Sequence, residues 1–241
     1  MNAVTNHSRG STAPPEPDAK APVRGLVVFD LDGTLIDSAP LITLLINHML
    51  EARGQARRLT VQQMRPYIMG GVERAMRAVF KVADTGALAA EFRALYAERP
   101  TPPDCLFPGA RLAIAALAAR GFCLAAWSNK PQVLCDKIIA ELGLSDAFAA
   151  VVGTDPGPLK PDPRGLALIL ERTGAHAGVC VLVGDSEVDH AAAAACGVPM
   201  VMMTHGYDDY QRPWPGAVLA HGFNELPALV ERLIPPGAAA A

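Results

Sequence analysis

The sequence LVVFDLDGTLIDS occupies residues 26–38 and joins an apolar run to two carboxylates. The apolar residues of Leu26–Leu31 favour a buried parallel strand. Asp30 and Asp32 interrupt the run where the strand ends, and a buried carboxylate needs a partner. Side chains alternate along a strand, so both acids point to one side and could converge on one substrate atom or one metal ion. Ligands bind at the strand ends of open α/β sheets, so the pair predicts a site, although an isolated Asp-Gly is an ordinary turn signal.

Composition limits the class of protein. At 51 % hydrophobic residues the chain can bury a sizeable core, and a net charge of −3 gives no electrostatic footprint for nucleic acid or an anionic membrane surface. No apolar run approaches the ~20 residues of a membrane span, and the polar residues 1–22 lack the apolar centre of a signal peptide. The five scattered cysteines show no zinc or disulfide spacing. We therefore expect a cytoplasmic protein, monomer or homodimer, without nucleic-acid or membrane partners.

The pattern along the chain predicts an α/β fold with an insertion. Residues 1–22 and 236–241 read as flexible tails. Residues 39–104 contain four segments with helical spacing and no convincing strand. Beyond them helices alternate with short apolar strands, predicted at 122–127, 148–152, 179–183, 200–203 and near Val218. The expected architecture is a doubly wound, parallel, Rossmann-like core, residues 23–38 and 105–235, with an inserted α-helical cap over residues 39–104.

Three later segments place polar residues where predicted strands end. They are Ser128-Asn129-Lys130-Pro131, Lys160-Pro161-Asp162-Pro163 and Gly184-Asp185-Ser186-Glu187-Val188-Asp189. Each has an ordinary structural interpretation when taken alone: a helix cap, a solvated lysine, and acids favoured at a helix N-terminus. The carboxyl ends of parallel strands share one edge of a sheet, so together they predict a single site.

These three segments and Asp30-Leu-Asp32-Gly-Thr34-Leu-Ile-Asp37-Ser38 resemble the four motifs of the haloacid dehalogenase-like hydrolases, in the family's order. The resemblance extends from Leu26 to Leu233. The insertion after the first motif resembles the helical cap of the subgroup that contains phosphoglycolate phosphatases and β-phosphoglucomutases. It implies phosphoryl transfer through an aspartyl phosphate.

The resemblance also implies roles for individual residues. Asp30 is the expected nucleophile, Asp32 the acid and base, and Lys160 the cation that neutralises the phosphate and Asp30. The remaining expected roles are phosphate binding by Ser128 and Asn129, orientation of the loop by Thr34, Mg²⁺ binding by Asp30, the Asp32 backbone carbonyl and Asp185, and outer-shell support of the metal waters by Asp189.

Several residues carry weaker expectations. Gly70-Gly71 resembles the cap loop that reaches the substrate in this subgroup, and Arg74 could meet a substrate carboxylate, although an exposed helical arginine is the ordinary interpretation. Asp37 and Ser38 are expected to form a turn and a helix cap. The remaining candidates near the site, His190 and His205, have no ligand spacing.

The function expected from the resemblance is a Mg²⁺-dependent phosphatase of a small phosphorylated metabolite. Phosphoglycolate is the first candidate, because Thr204-His-Gly-Tyr207 also resembles phosphoglycolate phosphatases. Other small sugar phosphates, pyrophosphate and a β-phosphoglucomutase-like reaction stay open. A dehalogenase has no use for Asp32, and a receiver-type signalling domain has no need of an insertion over its site. A non-catalytic phosphate-binding module would not need every one of these groups.

Overall fold

The computed structural model describes residues 23–155, 157–208 and 213–235. The tails predicted at residues 1–22 and 236–241 lie outside the described residues. None of the helices in the described ranges is both long and apolar enough to cross a bilayer.

A six-stranded parallel sheet forms the centre of the molecule. The strands are β1 (Gly25–Phe29), β2 (Phe122–Pro131), β3 (Ala150–Thr154), β4 (Cys180–Gly184), β5 (Met200–Met203) and β6 (Ala217–Ala220). Their order is β3-β2-β1-β4-β5-β6, which confirms the predicted doubly wound parallel sheet. From β1 the strand order runs one way through β2 and β3 and the other way through β4, β5 and β6. Such a switch point opens a crevice at the carboxyl ends of the strands.

Strand β1 is buried on both faces. Val27 and Phe29 belong to the apolar core on one side of the sheet, whereas Leu26 and Val28 belong to the core on the other. All four side chains are inaccessible to solvent. This two-sided burial explains why β1 is a continuous apolar run and not an alternating one.

Four helices follow β1 and pack against one another before the chain returns to the core at α5 (Ala110–Ala119). They are α1 (Ala39–Glu51), α2 (Val61–Ile68), α3 (Val72–Phe80) and α4 (Gly86–Ala97). Helix α2 begins at a capping box, in which Thr60 and Gln63 each accept a hydrogen bond from the other's backbone. We call α1–α4 the inserted helices. Their division from the core as a separate cap over residues 39–104 stays a prediction.

The remaining helices cover the two faces of the sheet. They are α5 (Ala110–Ala119), α6 (Gln132–Glu141), α7 (Arg164–Thr173), α8 (Glu187–Cys196) and α9 (Leu226–Leu233). Helix α8 also begins at a capping box, formed by Ser186 and Asp189. This box fixes the first turn of α8 directly after β4, at the switch point of the sheet.

Candidate active site

Lys160 joins two acids at the carboxyl edge of the sheet. Its Nζ donates to Asp30 Oδ1 at 2.7 Å and to Asp189 Oδ1 at 2.6 Å. All three side chains are buried. Burial lowers the pKa of the Lys160 ammonium, but Asp189 and Asp30 outweigh this effect and the net pKa is raised. The lysine is therefore a fixed positive charge, brought to β1 and α8 from the loop after β3.

Asp185 occupies a tightly fitted position behind Asp30. Its Oδ1 accepts a hydrogen bond from Thr34 Oγ1 at 2.8 Å, and its Oδ2 accepts one from the Tyr207 backbone N–H at 2.8 Å. A Cβ atom placed on Gly33 would lie 2.4 Å from Asp185 Oδ2, and Gly33 also has a φ of +90°. One placed on Gly206 would lie 2.2 Å from the same atom. The two glycines therefore leave the space that this carboxylate needs.

Asp30, Asp185 and Asp189 form a buried acidic cluster. One carboxylate oxygen from each lies within 4.8 Å of the others. Burial raises the pKa of Asp30 to about 7, and Lys160 opposes the rise. Burial also raises the pKa of Asp185 well above its usual range, and the charges of Asp189 and Asp30 add to the effect. Close oxygen donors that repel one another suit a hard divalent cation, so the cluster could bind one.

Asp32 lies between a hydroxyl and a second buried lysine. Ser38 Oγ donates to Asp32 Oδ1 at 2.5 Å, and Lys130 Nζ lies 3.1 Å from Asp32 Oδ2. Lys130 Nζ also lies 4.5 Å from the centre of the Tyr96 ring, which belongs to α4. Ser38 was expected to cap α1, but its side chain makes no capping bond, and its backbone is already helical at φ −87° and ψ −9°.

Asn129 braces the loop that carries Lys160. Its Oδ1 accepts from the Lys160 backbone N–H at 2.7 Å, and its Nδ2 donates weakly to Met69 O and Lys160 O, both at 3.4 Å. Ser128, buried one residue earlier, accepts from the Lys130 backbone N–H at 3.3 Å. Both side chains line the same cavity as Asp30 and Lys160.

This cavity has a volume of about 40 Å³, room for about three water molecules. It lies between the sheet edge and the inserted helices, and its two sides differ in polarity. We call the side chains that the inserted helices and the loop after α2 contribute the apolar wall: Ile42, Ile46, Ile68, Met69, Val72, Ala75, Met76 and Phe92. The core contributes the charged and polar side, together with the apolar Leu134 and Val188: Asp30, Asp32, Ser128, Asn129, Lys130, Lys160, Ser186 and Asp189.

The weaker candidates fall at different distances from the cavity. Gly71 lines it, whereas Arg74 is exposed on α3 and is not among the lining residues. His205 Nε2 lies 3.0 Å from the Thr34 carbonyl, behind the site, and burial lowers its pKa. His190 Nε2 lies 2.7 Å from the Pro215 carbonyl. None of these contacts involves the acidic cluster.

Sequence reasoning missed Lys130 as a functional side chain. It was recognised only as part of the loop after β2, because most lysines are exposed. Lys130 is 6 % exposed, and β2 continues through it to Pro131. Its place two residues after Ser128, at the carboxyl end of a central strand, is the signal that could have found it.

A family model, the haloacid dehalogenase-like hydrolase, matches residues 25–197. The chain belongs to this family. It is 35 % identical to phosphoglycolate phosphatase from Rhodobacter capsulatus, over 85 % of this chain and 96 % of the relative. It is 38 % identical to phosphoglycolate phosphatase from Rhodospirillum rubrum, over 75 % of this chain and 80 % of that one. A solved structure described as a predicted phosphoglycolate phosphatase from Haemophilus somnus aligns with a TM-score of 0.72 at 26 % identity, covering 85 % of this chain and 97 % of its own.

These comparisons confirm the expected hydrolase family and α/β fold. They also support the expected enzyme class, a phosphoric monoester hydrolase. The roles expected of individual residues stay predictions, as do the identity of the metal ion, the cytoplasmic location and the oligomeric state.

Proposed function

We propose that this hydrolase is a Mg²⁺-dependent phosphatase that cleaves a small phosphomonoester, with phosphoglycolate as the first candidate. The observation that carries the proposal is the meeting of Asp30, Lys160 and the acidic cluster at one buried edge of the sheet. The names of the relatives support the substrate. Phosphate monoesters hydrolyse very slowly in water, so an enzyme must supply a nucleophile, charge neutralisation and a proton for the leaving group.

In the first step, Asp30 attacks phosphorus and the bond from phosphorus to the ester oxygen breaks. Asp32 gives its proton to that oxygen, which leaves as an alcohol. Lys160, already 2.7 Å from Asp30, offsets the negative charge that approaches the carboxylate. Ser128 and Asn129, which line the cavity beside them, bind phosphate oxygens.

In the second step, water cleaves the aspartyl phosphate. Asp32, now a carboxylate, takes a proton from the water as its oxygen attacks phosphorus. The bond between phosphorus and the Asp30 oxygen breaks, which releases inorganic phosphate and restores both acids. Ser38 and Lys130 hold the Asp32 carboxylate in place through its two oxygens.

The acidic cluster fits Mg²⁺, which takes oxygen ligands and uses few carboxylates. The side chains of Asp30 and Asp185 and the backbone carbonyl of Asp32 are the proposed ligands. Asp189 is already engaged by Lys160 and by the backbone and hydroxyl of Ser186, so an outer-shell role suits it better. When bound, the ion neutralises phosphate charge and lets two anions approach.

The cavity favours a small leaving group. The apolar wall gives sugar hydroxyls no side-chain hydrogen-bond partner in this arrangement of the helices. Among the described residues that line the cavity, the inserted helices supply no basic side chain for a second phosphate. This counts against the alternative of a phosphomutase that binds a sugar bisphosphate.

Phosphate release from a panel of esters tests the proposal. The wild type should release phosphate from phosphoglycolate with Mg²⁺, faster than from sugar phosphates, and should stop when EDTA is added. Asp30→Asn should be inactive, whereas Asp146→Asn, which makes the same change at an exposed acid, should match the wild type. Equal rates of phosphate release by the wild type and Asp30→Asn would contradict the mechanism. Equal rates on all esters of the panel would contradict the preference for phosphoglycolate.

A further inference from the structure

Lys130 is a second buried cation in the cavity, and its contact with Asp32 engages one of its three N–H donors. Its side chain lines the cavity, although Lys160 already neutralises Asp30 and Asp189. Lys130 pairs instead with Asp32, the one carboxylate within 4 Å of its Nζ among the described residues, whereas Lys160 has two. Desolvating an ammonium is costly, so the buried Lys130 is suited to bind a second anionic group.

We propose that Lys130 binds a carboxylate on the leaving group and so selects phosphoesters of short 2-hydroxy acids. This inference rests on the proposed function, because it uses the role of Asp32 as the donor to the ester oxygen. In such a substrate the carboxyl carbon is two bonds from that oxygen. The group that pairs with the carboxylate must therefore lie next to Asp32, and Lys130 Nζ is 3.1 Å from Asp32 Oδ2.

The surroundings of Lys130 hold its ammonium facing this position. The centre of the Tyr96 ring lies 4.5 Å from Lys130 Nζ, and Asp32 Oδ2 lies 3.1 Å from it. An ammonium has three N–H donors, and the contact with Asp32 takes one of them. A second carboxylate can therefore be bound without breaking the first contact.

Because the apolar wall carries no charge, Lys130 is the group that distinguishes an acid substrate from a neutral one. Among the described residues that line the cavity, the two lysines are the only cations, and Lys160 is paired with Asp30 and Asp189. Arg74, the cation that the sequence suggested for a substrate carboxylate, is exposed and outside the lining. An acid substrate thus depends on Lys130, whereas a neutral alkyl phosphate does not.

The test compares phosphoglycolate with ethyl phosphate, which has the same chain length and no carboxylate. Lys130→Met should lower the ratio of kcat/KM for phosphoglycolate to that for ethyl phosphate by about 10- to 100-fold, the usual loss for a hydrogen bond to a charged group. Lys130→Arg should restore part of the ratio, because it keeps the charge. Lys81→Met, the same change at an exposed lysine directly after α3, should leave it unchanged.

Any effect of Lys130 on Asp32 or on folding alters both substrates alike and cancels in the ratio. Inhibition by inorganic phosphate should stay near the wild-type value, which shows that the phosphate site is intact. Equal losses for both substrates would mean that Lys130 only positions Asp32 and would overturn the inference. A wild type that hydrolyses ethyl phosphate but shows no preference for phosphoglycolate would overturn it too. A wild type inactive on both esters would instead overturn the proposed function.

Discussion

The core side of the cavity and the apolar wall differ in the polarity of their side chains. The core side brings three acids and two lysines together at one edge of the sheet, all of them largely buried. The apolar wall, from the inserted helices, offers only hydrocarbon and thioether groups to the same space. Polar groups that are expensive to bury are thus kept where the parallel strands converge, on the most rigid part of the fold.

This difference indicates a division of labour. Groups on a rigid sheet edge can be held close to the geometry that a reaction needs, whereas helices packed over it can vary in shape and exclude water. We therefore expect changes on the core side to affect rate and metal binding. Changes in the apolar wall should affect the choice of leaving group.

Among changes that keep the nucleophile Asp30, Asp32→Asn should have the largest effect. Loss of a general acid and base lowers rates by about 10²- to 10⁴-fold, so turnover of phosphoglycolate should fall by that amount. The loss should be smaller in the first step with p-nitrophenyl phosphate, because nitrophenolate leaves without a proton. Rapid-quench kinetics with both esters would measure the two losses.

The matched control for this change is Asp146→Asn, an exposed acid far along the chain. It should leave both rates unchanged. If Asp32→Asn slows both esters equally in the first step, Asp32 does not protonate the leaving group, and the core side loses one of its proposed roles.

The stability of the metal-free protein should fall as the pH rises. Burial raises the pKa of Asp30 to about 7, above its value near 3.8 in an unfolded chain. Between these two values the folded state keeps a proton that the unfolded state has lost, so Asp30 lowers the free energy of unfolding as the pH rises, by about 1.4 kcal/mol per unit at most. The raised pKa of Asp185 acts in the same direction. Urea unfolding in EDTA from pH 4 to 8 would measure this slope.

Two controls separate the acidic cluster from the rest of the chain. Asp30→Asn should reduce the slope, and saturating Mg²⁺ should stabilise the wild type at pH 8, by about 2.7 kcal/mol at a hundred times its Kd. If Asp30→Asn leaves the slope unchanged, the pH dependence of stability does not come from Asp30.

Met69→Gln should have the smallest effect and should change selectivity only. The new amide, nearly the same shape as the old side chain, gives a sugar hydroxyl one partner in the apolar wall. The kcat/KM for a small sugar phosphate should rise by about 3- to 10-fold, the worth of one neutral hydrogen bond. The inhibition constant of inorganic phosphate depends on the core side and should be unchanged. A large fall in turnover of phosphoglycolate would show that the two sides are not independent.

The sequence predicted the core side well, for a physical reason. Parallel strands end at one edge, so polar residues after three apolar runs had to meet Asp30 there. Strand boundaries were less accurate. The third strand was predicted at 148–152 and is found at Ala150–Thr154, because apolar Phe148 packs in the core just before the strand begins.

The sequence did not predict which side chains of the site contact one another. The contacts of Lys130 with Asp32 and Tyr96 join three segments that are distant in the chain, and no local pattern encodes them. The same holds for the contact of Tyr207 with Asp185. Position along a strand predicts which edge a residue occupies, whereas its partner depends on how distant segments of the chain pack.

The most direct test of the account is to trap the phosphoryl group on Asp30. Wild-type enzyme mixed with phosphoglycolate and Mg²⁺ would be quenched during turnover and reduced with borohydride, which converts an acyl phosphate to homoserine. The account predicts homoserine at position 30, identified by mass spectrometry of the peptide that spans β1. Active enzyme with an unmodified residue 30, or with the reduced product at another acidic residue, would contradict it.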